Sequence, residues 1–76
     1  MKVAFTVVFD KNDDGYTVTV PALPGVVTEG RTLDEARAMA VDAIRCHLES
    51  LQMDGEPVPS EIEVDVGRLE VDLPAG

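Results

Sequence analysis

The spacing of apolar residues changes twice along this chain of 76 residues. Apolar side chains alternate with more polar ones as far as Thr28, recur every three or four positions between Leu33 and Met53, and alternate again from Ile62. Alternation is typical of half-buried strands, and the longer spacing is typical of a helix with one apolar stripe. The sequence therefore predicts a single α+β domain over residues 1–76 in the order β-β-β-α-β, with the first three strands forming an antiparallel meander.

The first two strands are predicted to form an antiparallel hairpin. Residues 2–9 and residues 16–20 both alternate, and the polar run from Asp10 to Gly15 between them contains the residue types that favour a chain reversal. Pro21 has no N–H to donate to a sheet, so the second strand is expected to end near it. A short third strand is predicted at residues 26–28.

Two prolines and two glycines lie in the stretch PALPGVVTEG, residues 21–30. Pro24 and Gly25 predict a turn that returns the chain to the sheet. We expect Gly25 to adopt a backbone conformation that a β-branched residue could not share. A phosphate-binding loop is disfavoured, because Gly25 and Gly30 are separated and no lysine follows them.

The helix has recognisable start and end signals. Thr32 and Glu35 form the pattern of a capping box, in which the Thr32 hydroxyl accepts from the Glu35 amide and the Glu35 carboxylate accepts from the Thr32 amide. Gly55 follows the predicted end at Met53, where a left-handed residue often terminates a helix. The predicted buried stripe consists of Leu33, Ala36, Ala40, Ala43, Ile44, His47, Leu48 and Leu51.

The tail alternates in two phases that change at Gly67 and Arg68. Apolar residues occupy even positions before this point and odd positions after it: Ile62, Val64 and Val66, then Leu69, Val71 and Leu73. A bulge at Gly67 within one bent strand explains the change. A tight hairpin turn is the alternative, but it would set Asp65 opposite Glu70, and like charges directly opposed are unfavourable.

Composition excludes several functions. The net charge is -9 and the six basic residues are scattered, so direct binding of nucleic acid is not expected. His47 and Cys46 are each the only residue of their type, which leaves no catalytic pair, no metal set and no cofactor site. No apolar run is long enough for a membrane span or a signal peptide, so a cytoplasmic protein is expected. Asp10, Asp13 and Asp14 lack the spacing of a calcium loop.

Two segments carry a family resemblance. The stretch GYTVTVPALPGVVTEGRTLDEARAMAVDAI, from Gly15 to Ile44, and the stretch LESLQMDGEPVP, from Leu48 to Pro59, closely resemble the HicB-like antitoxin family. Members of that family carry, in this order along the chain, an aromatic residue at the start of an alternating strand, the motif LPG and the motif EG-T-EEA. A helix and then the motif G-P-P follow. The matching motif positions here include Pro24, Gly25, Gly30, Thr32, Glu35 and Gly55.

The resemblance implies a reduced RNase-H-like fold without catalytic carboxylates, completed by a fourth strand parallel to the first. It implies an antitoxin that covers a small basic HicA-type toxin, an mRNA-cleaving protein with a double-stranded-RNA-binding fold. The chain resembles a short, solitary-type member without a C-terminal DNA-binding module. Acidic residues are the expected contacts with such a partner, namely Asp13, Asp14, Glu29, Glu63 and Asp65.

Two other functions are compatible with the sequence. A free-standing homo-oligomer, either a dimer or a tetramer, would cover the mildly polar sheet face and compensate for the thin core of so short a chain. A residual nuclease would use carboxylates such as Asp10 and Asp65. The antitoxin is preferred to both, and we expect no enzymatic activity.

Overall fold

A computed structural model describes residues 3–59, 65 and 67–74 of the chain. The described elements are β1 (Val8–Asn12), β2 (Gly15–Thr19), β3 (Val27–Gly30) and α1 (Leu33–Met53). The three strands form an antiparallel sheet in the order β1-β2-β3, and α1 packs against β2 and β3. The predicted α+β meander and the predicted helix are confirmed.

The first hairpin is tighter than the sequence predicts. β1 is predicted over residues 2–9 but runs from Val8 to Asn12, and residues 3–7 have no strand assignment. The turn between the two strands therefore contains only Asp13 and Asp14. The Asn12 side chain explains this difference: its Oδ1 accepts from the Asp14 N–H at 3.0 Å, and its Nδ2 donates to Thr17 Oγ1 at 3.0 Å. These bonds stabilise a short reversal, as asparagine commonly does in turns.

Two consecutive turns explain the proline-rich stretch. The Leu23 N–H donates to the Val20 carbonyl at 2.9 Å, and the Val26 N–H donates to the Leu23 carbonyl at 2.8 Å. Pro21 and Pro24 each follow the first residue of a turn, where their fixed φ is favourable. The turns bring Val20, Leu23 and Val26 together as one buried cluster.

Gly25 does not behave as predicted. Positive φ angles among the described residues occur at Gly15 and Gly55, and a Cβ on Gly25 would meet nothing within 4 Å. The expectation of a conformation reserved for glycine is therefore wrong at this position. The physical reason is that a turn with proline at its second position also forms with a negative φ at the third, as in a type I turn, so this position does not require glycine.

Both ends of α1 are capped. Thr32 is the N-cap, and its Oγ1 accepts from the Glu35 N–H at 3.1 Å. The return bond from Glu35 to the Thr32 amide is not formed between these two described residues. At the other end Gly55 has a φ of 72°, and the amides of Gly55 and Glu56 donate to the carbonyls of Gln52 and Leu51. This pattern is a Schellman motif, which satisfies two of the last helical carbonyls.

The core lies between the sheet and one face of α1. Ala36 and Ala40 are buried against Val18, with Phe9 and Tyr16 packed beside them. Small residues at these helical positions let the helix approach the sheet closely. A second cluster lies under the proline-rich turns, where Leu23 is 2% exposed. Leu33 is 41% exposed, so it is not part of the buried stripe that the sequence predicts.

The predicted fourth strand is not part of the described sheet. Residues 60–64 and 66 lie outside the described part of the chain, as do both termini at 1–2 and 75–76. Asp65 and residues 67–74 are exposed and have no strand assignment. The fourth strand, and the choice between a turn and a bulge at Gly67 and Arg68, therefore stay predictions.

Candidate functional site

The turn of the first hairpin presents two of the acidic residues that the sequence singles out. Asp13 and Asp14 are exposed, and Asn12 holds the backbone of this turn through the bonds described above. The start of β2 lies against the end of β3, because a Cβ on Gly15 would collide with the Gly30 carbonyl oxygen and the Arg31 Cα. The aspartates are therefore next to the start of the helix.

A shallow cleft of about 390 Å³ joins the hairpin turn, the end of β3 and the first turn of α1. Asp14 and Glu29 both line it, so the structure brings these two predicted partner residues together. Glu35 and Arg31 also line the cleft, and Tyr16 lies beside them. The sequence marks Glu35 only as a capping residue, and nothing in the sequence pattern indicates its position beside Asp14.

The outer face of the sheet extends this acidic region. Asp10 pairs with Thr17, which in turn pairs with Glu29, so the two carboxylates lie on one face with a threonine between them. Neighbouring strands are about 4.8 Å apart, which separates the two backbones by roughly 10 Å. We give the name acidic end to the exposed carboxylate residues of the turn, the outer sheet face and the helix start: Asp10, Asp13, Asp14, Glu29, Asp34 and Glu35. Of these, Asp14, Glu29 and Glu35 line the cleft.

The acidic end is exposed and only partly balanced by cations. All six of its carboxylate residues are exposed, and the basic residues within the same segments are Lys11 and Arg31. Such a surface attracts cationic partners over distances of about a Debye length and disfavours phosphate groups.

The remaining predicted partner residues are not placed with the acidic end. Glu63 lies outside the described residues, and Asp65 is exposed in the tail without strand structure. The tail location of Asp65 gives no support for a nuclease centre shared with Asp10, which lies in β1. In the part of the chain that the structure describes, no group of three metal-ligating side chains occurs.

The lone histidine and cysteine lie on the helix. His47 is half-buried and Cys46 is exposed as a free thiol.

Within the described ranges, no helix is both long and apolar enough to cross a membrane. Among the described residues, the acidic end is the candidate surface that the sequence analysis and the structure share.

Comparison with known proteins identifies the family. Residues 5–73 match the profile described as HicB_like antitoxin of bacterial toxin-antitoxin system. The chain belongs to the HicB-like antitoxin family. This membership confirms the resemblance in the sequence and supports an antitoxin role.

Relatives of this HicB-like chain come from archaea and bacteria. A UPF0150 protein of Thermoplasma acidophilum is 45% identical over 58 residues, which cover 75% of this chain and 84% of the relative. Antitoxin HicB 1 of Photorhabdus laumondii subsp. laumondii is 37% identical over 62 residues, which cover 82% of this chain. Only 39% of that longer antitoxin is covered, so the match does not extend to its remaining part.

A solved structure shares the fold. The crystal structure of the N-terminal domain of Burkholderia pseudomallei antitoxin HicB superposes with a TM-score of 0.64 at 35% sequence identity. The match covers 84% of this chain and 72% of that domain. The antiparallel sheet and the helix are therefore those of an antitoxin HicB N-terminal domain.

Proposed function

We propose that this chain is an antitoxin that neutralises a HicA-type mRNA-cleaving toxin by covering the surface with which the toxin binds RNA. The observation that carries this proposal is the family match over residues 5–73, joined by the 35% identity to an antitoxin HicB domain. A toxin that binds RNA must offer cations to phosphate groups. An antitoxin that occludes it needs the opposite charge.

The acidic end supplies that charge. Three of its carboxylates, Asp14, Glu29 and Glu35, line a cleft whose other polar side chains include Asn12 and Arg31, so both ion pairs and hydrogen bonds are available to a basic partner. Complementary charge raises the association rate and selects the class of partner more than it raises affinity. The net charge of -9 acts in the same direction, and it makes direct nucleic-acid binding unfavourable.

The proposal also includes the location of the protein, its lack of catalytic activity and the completion of its fold. We place the protein in the cytoplasm, where mRNA is available to the toxin, and we expect no catalytic activity of its own. We further propose that a fourth strand beside β1 completes a reduced RNase-H-like fold in a single domain. Binding of an operator by a separate DNA-binding module is not part of this proposed role.

Co-expression tests the antitoxin role. The partner to use is the neighbouring reading frame, if it encodes a basic chain of about HicA size, or otherwise a HicA toxin from a relative's locus. We expect this chain to restore growth and to form a complex with a catalytically inactive toxin in low-salt titration. Failure to restore growth together with no complex at low salt would contradict the proposal.

A homo-oligomer of unrelated role is the second candidate, and one observation favours it. Val8 pairs with Thr19 and Thr19 pairs with Val27, which makes a weakly polar row across the outer sheet face. Val27 is 62% exposed, so a second copy could cover it. Substituting Val27 by Glu would abolish an assembly formed through this face, and sedimentation of the protein alone would show that loss.

A further inference from the structure

An apolar groove of about 800 Å³ lies between the N-terminal segment and the helix. Its N-terminal side is formed by Val3, Ala4, Phe5, Val7 and Phe9, of which only Phe9 lies in β1, and its helix side includes Ile44 and Leu48. Phe5, Val7, Ile44 and Leu48 are only half-buried there. β1 is the edge strand on this side, because the described sheet runs in the order β1-β2-β3. The groove is therefore shaped to receive one more extended segment beside the first strand.

The tail carries a segment that fits such a groove. Leu69, Val71 and Leu73 are 92%, 76% and 84% exposed, and charged residues alternate with them at Glu70 and Asp72. We call the three apolar residues the tail stripe. Alternation of this kind gives an extended segment one apolar face and one polar face. An exposed stripe with this spacing is unfavourable in water unless another surface covers it.

The tail stripe does not line the groove of its own chain. The Cα radius of gyration is 15.6 Å, whereas a compact domain of this length has about 11 Å. The longest dimension is 56 Å, although a helix of 21 residues spans only about 32 Å. Among the described residues of one chain, nothing therefore covers the groove or the tail stripe.

We propose that two copies of this chain exchange their tails, so that the tail stripe of each copy fills the groove of the other. This exchange deepens the proposal of a fourth strand, because it assigns that strand to the second copy. It does not depend on the antitoxin role. A two-fold arrangement is reciprocal, so both uncovered grooves and both exposed stripes are buried by one contact.

Charge at the groove supports the same occupant. Arg37 and Arg45 line its helix side together with a single carboxylate, Glu49. Arg37 already lies 6.0 Å from the centroid of the Phe9 ring at the end of the groove. In a chain of net charge -9, this cationic rim attracts the carboxylates of Glu70 and Asp72 on an incoming tail.

Cross-linking between two differently labelled copies tests the exchange. In a Cys46→Ser background, which removes the exposed native thiol, one copy carries Val41→Cys in the groove and the other carries Val71→Cys in the tail. We expect a flexible bismaleimide to link the two copies efficiently. The matched control replaces Val41→Cys by Val27→Cys, which is similarly exposed but lies in a strand outside the groove. We expect little link in the control.

A single chain with both Val41→Cys and Val71→Cys separates exchange from folding back. Exchange gives a covalent dimer at twice the chain mass of 8.2 kDa. An internal link in a monomer would show that the tail returns to its own groove and would overturn the exchange. A link to Val27→Cys, or no link at either position, would overturn it as well, because the tail would then lie elsewhere.

Sedimentation of the full chain tests the exchange independently, because it measures the dissociation constant of the dimer. Leu73→Glu places a charge in the tail stripe, and Met53→Glu places one at an equally exposed residue, since the two are 84% and 87% exposed. Burial of one leucine side chain corresponds to about a tenfold or larger change in the dissociation constant. We expect the dissociation constant of the dimer to rise by this factor for Leu73→Glu and to stay nearly unchanged for Met53→Glu. Equal effects, or a monomer at all micromolar concentrations before substitution, would overturn the proposal.

Discussion

Gly30 at the end of β3 lies directly against Ala36 in the first turn of α1, so that a Cβ on Gly30 would lie 2.5 Å from the Ala36 backbone nitrogen. Gly30 is buried, and the atoms in its way are helix backbone rather than a flexible side chain. The contact fixes the start of the helix against the sheet. It also places Glu35 beside Glu29 in the cleft of the acidic end.

Gly30→Ala is therefore expected to destabilise the fold. The helix must shift to admit one methyl group, and overpacking of this kind typically costs about 1 to 3 kcal/mol. Urea unfolding followed by circular dichroism measures the change. The expected result is a lower midpoint with an unchanged slope.

Gly25→Ala is the matched control for that experiment. Gly25 has no neighbour within 4 Å of a Cβ and no positive φ, so alanine fits without strain. Loss of glycine's freedom in the unfolded chain makes such changes neutral or stabilising by about 0.4 to 1 kcal/mol. If Gly25→Ala destabilises as much as Gly30→Ala, the contact with Ala36 is not the cause.

Thr32→Ala is expected to lower the free energy of unfolding by about 0.5 to 2 kcal/mol. The substitution removes the hydroxyl that accepts from the Glu35 amide at 3.1 Å. Thr32→Ser keeps that acceptor and is expected to retain most of the stability. Equal losses for the two variants in thermal unfolding would show that the cap contributes little.

Gly55→Ala is expected to destabilise the end of the helix. The φ of 72° at Gly55 is one that alanine adopts only with strain of about 1 to 3 kcal/mol. Gly55→Asn should cost less, because asparagine tolerates this region better. Hydrogen exchange at the amides of Gly55 and Glu56, which close the Schellman motif, measures the local effect. Unchanged protection in the alanine variant would contradict the assigned role.

The sequence predicts the helix better than the first strand, which is predicted at residues 2–9 but lies at Val8–Asn12, because the helix has a local signal at each end. The helix bounds follow from the Thr32 cap and from Gly55, and both signals act within a few residues. Contacts between distant residues are different, since the approach of Gly30 to Ala36 depends on how a whole strand meets a whole helix. The prediction at Gly25 failed because a Pro-Gly pair fits turns with either sign of φ at the glycine, and the sequence does not distinguish them. Alternation in the tail predicts a strand, yet it does not say which chain pairs with it.

The acidic end was predictable only in part for the same reason. Asp13 and Asp14 stand out in the sequence because they lie in an evident turn. Their proximity to Glu29 depends on the register that pairs Tyr16 with Gly30, which no local pattern specifies. Charge alone therefore indicates an acidic surface without locating it, whereas the sheet register brings Asp14 and Glu29 to one cleft.

Charge reversal at the hairpin turn is expected to slow binding to a HicA-type toxin. Asp13→Lys with Asp14→Lys changes two exposed carboxylates of the acidic end, and exposed charges act mainly on the rate of encounter. We expect the association rate constant to fall by about tenfold at low salt, with a smaller change in dissociation. Stopped-flow or biosensor kinetics with an inactive toxin measures both constants.

The matched control is Asp54→Lys with Glu56→Lys, which changes the net charge equally at the far end of a helix about 32 Å long. A general effect of net charge would slow both double variants alike, whereas a local docking surface predicts that only the hairpin variant is slowed. Raising the salt from about 0.1 to 1 M shortens the Debye length from about 10 to 3 Å and should remove most of the difference between wild type and the hairpin variant. A difference that persists at high salt would contradict steering by the acidic end and would favour direct contacts at Asp13 and Asp14 instead.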